Sequence, residues 1–84
     1  MKQPVKKITD YSFVKPEHIR AARGWLGWNL HQMQEKSGLA LDTVSRYERG
    51  AKKVLPETVA IMARTFQRAG VELFPGGIRA RETA

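Results

Sequence analysis

The sequence contains no cysteine, which excludes disulfides and thiolate metal sites and leaves a cytoplasmic setting as the expectation. No apolar run approaches the roughly 18 residues that a membrane-spanning helix needs. Lys2, Lys6 and Lys7 are not followed by the apolar stretch of a secretion signal, so none is expected. His18 and His31 are the only histidines. Without cysteine nearby they match no zinc-finger spacing, so no metal is expected and both read as surface residues. Paired carboxylates, a nucleophile–base set and a phosphate loop are all missing, and 84 residues are few for a deep pocket. Neither an enzyme nor a cofactor is therefore expected. Internal repeats and low-complexity tracts are absent as well.

What is present is positive charge. Fifteen Lys and Arg stand against eight Asp and Glu, a net charge of +7, with a pI of about 10.3. Such a balance favours nucleic acid over an anionic membrane surface, with plain solubility as the bland counterpart. The length suits one small domain with a single helical core. A surface for self-association would add burial to so small a core.

Taken in order, residues 1–15 form a basic arm carrying Lys2, Lys6, Lys7 and Lys15. It suits DNA backbone or a minor groove, or else is a solvated terminus. Ile8, Tyr11 and Phe13 are apolar anchors, and a short strand is expected over residues 11–14. Residues 16–26 read as a helix, with Pro16 in its first turn, Glu17 at its positive end and a stripe of Ile19, Ala22 and Leu26. Trp28 follows as a core residue. Residues 56–69 read as another helix, with an apolar face of Val59, Ile61, Met62, Ala63 and Phe66. Two alternating segments, Val71-Glu72-Leu73-Phe74 and Ile78-Arg79-Ala80-Arg81, flank Pro75-Gly76-Gly77 in the pattern of a β-hairpin. Its edge suits pairing across a two-fold axis, or a return onto residues 11–14. The boundaries are an arm at 1–15, a helical domain at 16–70 and an extension at 71–84.

The chain is organised around residues 29–50. Asn29 is a good N-cap, since its side chain accepts from an exposed N–H. Leu30 and Met33 share one face of a first short helix, which Ser37-Gly38 interrupts; glycine takes the left-handed conformation there without a Cβ clash. Val44 and Tyr47 share a face of a second helical pattern that ends at Gly50. Helix, short turn with glycine, helix is helix-turn-helix geometry. The stretch resembles the repressor-type helix-turn-helix of the Cro/C1 (Xre) family. Gly38, Leu39, Val44 and Tyr47 fall at the family's glycine, apolar turn, β-branched and apolar positions. The run Thr43-Val44-Ser45-Arg46-Tyr47-Glu48-Arg49-Gly50 is close to its T-[IV]-S-x-[IYL]-E-x-G signature. The resemblance covers residues 19–66. Two positions depart from it. Leu30 stands where the family has a phosphate-touching glutamine. Gln34 stands where a small residue lets the two helices approach, so it is expected to bend around the crossing or widen it.

The resemblance implies a mainly α, lambda-repressor-like helix-turn-helix bundle of about four helices, with a short C-terminal β-hairpin or strand. It makes residues 40–49 the recognition helix. Ala40, Leu41, Asp42, Ser45 and Arg46 then face the major groove, while Asn29, Thr43, Arg49, Lys52 and Lys53 lie toward DNA backbone. Leu41 suits a thymine methyl, Asp42 a cytosine amino group and Arg46 a guanine, with a phosphate contact as the alternative for Arg46. Arg23 and Glu48 correspond to a structural ion pair of the family, or are two solvated charges. The function implied is sequence-specific binding of double-stranded DNA by a repressor-like transcriptional regulator, homodimeric on a palindromic operator. The other class of function is a protein-interaction module, docked on a partner such as a toxin. Leu30, Gln34, Ala40 and Leu41 favour that alternative because they make the DNA face less polar; Arg46, Arg49, Lys52 and Lys53 oppose it.

Overall fold

The computed structural model describes residues 10–51 and 54–80. Lys2, Lys6, Lys7 and Ile8 of the arm, and Lys52 and Lys53, lie outside the described residues. In chain order come α1 (Pro16–Leu26), α2 (Leu30–Ser37), α3 (Leu41–Glu48), α4 (Pro56–Arg68), β1 (Val71–Phe74) and β2 (Gly77–Ala80). The fold is thus the expected mainly α helix-turn-helix bundle, closed by a C-terminal hairpin.

Local chemistry explains the boundaries. Pro16 and Pro56 each open a helix, where a missing N–H and a fixed φ cost nothing. Gly27 and Gly38 close α1 and α2 at φ of 71° and 78°, conformations that a Cβ would strain. The turn between α2 and α3 is tightened by Ser37, whose hydroxyl donates to Met33 O at 2.7 Å and accepts from Leu39 N at 3.1 Å.

Every helix turns an apolar stripe inward. Ile19 and Ala22 of α1, Met33 of α2, Val44 of α3, and Met62 and Phe66 of α4 pack into one cluster. Trp28 lies against it, its ring 5.8 Å from that of Phe66 and tilted by 27°. Burial of this kind contributes about 1.5–3 kcal/mol for a large aliphatic or aromatic side chain. The hairpin belongs to the same cluster, since Val71 and Leu73 of β1 alternate inward onto it. Its strands are antiparallel, with Val71 opposite Ala80 and Phe74 opposite Gly77. The turn suits glycine at both positions. A Cβ at Gly76 would come within 3.0 Å of the Phe74 ring, and Gly77 has φ of 152°.

Two expectations fail. Residues 11–14 form no strand; Val14 N donates to Tyr11 O at 3.0 Å, closing a turn. Asp10 reinforces that bend by accepting from Ser12 N at 2.9 Å, a bond that lowers the Asp10 pKa from its ordinary value. The strand pattern was too short to compete with local turn chemistry. His18 is not a surface residue but is buried. Its Nδ1 accepts from Lys15 N at 3.0 Å and its Nε2 lies 2.7 Å from Phe74 O. With Nδ1 accepting, Nε2 carries the proton and donates. One imidazole therefore caps the start of α1 and ties it to the hairpin turn.

Candidate nucleic-acid interface

Helix α2 begins with a reciprocal cap. Asn29 Oδ1 accepts from Gln32 N at 2.8 Å, and Gln32 Oε1 accepts from Asn29 N at 2.9 Å. Leu30 is half-buried and packs against the core, so the position departing from the family pattern serves the interior. Gln34 is exposed. Met33 is the buried residue of α2, and the Gln34 side chain takes the solvent side.

Helix α3 is held from behind by α1. Arg23 Nε donates to Glu48 Oε2 at 2.7 Å and Arg23 Nη2 to Glu48 Oε1 at 2.8 Å, a two-pronged fork. The remaining Nη1 donates to Trp28 O at 2.8 Å. Hydrogen bonding to Glu48 holds Arg23 still more firmly protonated than usual. Arg20 adds a second clamp, its Nη1 donating to Glu48 O at 2.6 Å. Nothing in the sequence reading assigned that role to Arg20; its place three residues before Arg23 on one helix face was the available signal. On the buried side of α3, Tyr47 donates from its hydroxyl to Val14 O at 3.0 Å. Burial, and secondarily the charge of Glu17, push the Tyr47 phenol above its ordinary pKa.

With Val44, Tyr47 and Glu48 turned inward, the opposite side of α3 is left open. Ala40, Asp42, Arg46 and Arg49 are exposed, while Leu41, Thr43 and Ser45 are half-buried at the edges of the strip. Ala40 is the N-cap residue, just outside the helix, and supplies no capping side chain. Arg46 Nη1 lies 3.4 Å from Asp42 Oδ2, and Arg49 Nη1 donates to Ser45 Oγ at 3.1 Å. Lys52 and Lys53 fall outside the described residues.

A family model described as helix-turn-helix matches residues 19–73. The chain belongs to the Cro/C1-type helix-turn-helix family. This is a family of DNA-binding regulators. The family match runs past α4 into β1, so it takes in the strand that carries Val71 and Leu73. No curated protein and no solved structure matches the chain. Among the described residues, no group of His, Asp or Glu is arranged to hold a metal ion, and no helix is long and apolar enough to cross a membrane.

Proposed function

We propose that the protein is a cytoplasmic, repressor-like regulator that binds double-stranded DNA at a specific sequence and acts by occupying it. The observation that carries this reading is the two-sidedness of α3. One side is locked to α1 through Glu48, and the other presents Asp42, Arg46 and Arg49 to solvent. In this reading α3 enters a major groove with its N-terminal half toward the bases. Arg46 reads guanine with its planar fork, and Leu41, Ala40 and Ser45 meet the neighbouring base edges. Thr43, Arg49, Lys52 and Lys53 grip phosphate. Asn29, whose Oδ1 is taken up by the α2 cap, offers its side-chain N–H groups to the same backbone.

The protein binds as a homodimer on a palindrome. Two recognition helices then enter successive major grooves on one face, with half-site centres roughly 10 to 10.5 base pairs, or about 34 Å, apart. Docking on a protein instead of DNA is the weaker reading, because Leu30 is packed on the core and Gln34 is polar. The exposed side chains of α3 are mostly charged: Asp42 and Arg46, with Arg49 at its end. The deciding experiment is selection of bound sequences from a random duplex pool, with sedimentation of the protein alone and on the selected duplex. An enriched palindrome bound by two copies is expected. A single enriched half-site bound by a monomer would refute the dimer, and no enrichment at low salt would refute sequence-specific DNA binding.

A further inference from the structure

Arg46 of helix α3 and Arg49, its C-cap residue, lie on the open strip, and each contacts an oxygen four residues nearer the helix start. Arg46 reaches Asp42 and Arg49 reaches Ser45. Side chains on an α-helix lean toward its N-terminus, which makes such contacts geometrically natural. The result is that both guanidinium groups tilt toward the end of α3 that meets base edges in the binding mode above. Asp42 is the acidic residue of the first turn of α3. A carboxylate there repels phosphate, so on its own it weakens binding to every duplex alike. Its contact with Arg46 engages one N–H of a group that has five. The remaining donors can still form a bidentate pair with guanine O6 and N7. An arginine already held near its reading pose loses less rotamer freedom on binding than a free one.

We propose that Asp42 is a positioning residue, which aims Arg46 at its base and thereby sets sequence discrimination without itself touching a base. This replaces direct cytosine reading by Asp42, and it rests on the DNA-binding reading above. The test compares the parent with Asp42→Asn, Asp42→Glu, Arg46→Ala and the double variant Asp42→Asn/Arg46→Ala. Each is titrated with the duplex that the parent enriches from a random pool, with that duplex's single-base variants, and with an unselected duplex. Asp42→Asn should lose roughly two- to fivefold in discrimination, the scale of one exposed ion pair. The loss should fall at the base position that Arg46→Ala flattens, with no further loss in the double variant. Asp42→Glu keeps a carboxylate four residues from Arg46 and should restore the preference. Loss at a different base position, adding to that of Arg46→Ala, would show that Asp42 reads a base and overturn the proposal. So would a uniform gain in affinity on all duplexes with every preference kept, the mark of simple phosphate repulsion. If the parent enriches no duplex, the DNA-binding reading falls and takes the proposal with it. If the parent enriches a site and Asp42→Asn keeps all its preferences, the proposal alone fails.

Discussion

Helix α3 has an arginine–carboxylate pair at each end, and the two differ in almost every physical respect. Arg23 and Glu48 meet at 2.7 Å, with side-chain exposures of 21% and 9%. Arg46 and Asp42 meet at 3.4 Å, with exposures of 61% and 73%. In the sheltered pair each charge depends on the other, because Glu48 is buried and Arg23 only partly reached by water. In the exposed pair water competes on equal terms, and the contact is worth little to stability. The same chemistry therefore does opposite things. The inner pair fixes where α3 sits, and the outer one leaves cationic groups aimed but free to change partners. A bundle that holds α3 near its C-terminal end leaves the other end open to solvent.

The comparison breaks most sharply at Glu48. Glu48→Ala strands Arg23 in a partly buried place and leaves two of its donors unmet. Stability should fall by about 3 kcal/mol, lowering the melting temperature by roughly ten degrees or more for a domain of this size. A thermal melt indistinguishable from the parent's would show that the inner pair is no stronger than the outer. Arg46→Ala is the reciprocal cut. It should leave the melt almost unchanged yet lose roughly 1–3 kcal/mol on the enriched duplex, and much less on unselected DNA. Equal weakening on both duplexes would make Arg46 a phosphate contact. Lys53→Ala sharpens the contrast between reading and grip. Both duplexes should weaken by a similar, smaller factor, and the salt dependence should become shallower by about one unit of slope. The smallest effect concerns Tyr47, beside Glu48 on the inner side. Its raised folded pKa means that the unfolded chain loses the phenolic proton first. The contribution is whole below the unfolded value, near 10, and drains as pH rises through the folded value. Chemical denaturation above about pH 10 should therefore weaken the parent more steeply than Tyr47→Phe. Parallel slopes would place Tyr47 in a more open setting than its burial implies.

Much of the fold could be read from short-range patterns. The span Pro16–Leu26 follows from Pro16, an apolar stripe at helical spacing and Gly27, and the hairpin follows from two alternating segments around Pro75-Gly76-Gly77. The helix-turn-helix itself rests on Asn29, Gly38, Val44 and Tyr47, each with a local role. The misreadings share one cause. His18 looked like a surface residue because its decisive partner, Phe74 O, lies 56 positions away. Leu30 and Gln34 lie on one short helix, yet the packing sends the first inward and leaves the second in solvent. Arg20 shares a helix face with Arg23, but the Glu48 O that it clamps lies 28 positions away. Caps, turns and apolar periodicity act over a few residues, so the sequence by itself determined where the helices begin, end and turn their apolar faces. Which carbonyl, carboxylate or ring a long side chain meets depends on the approach of distant segments. Only the tertiary structure decided that His18 would tie α1 to the hairpin, and that one arginine pair of α3 would be sheltered and the other left in water.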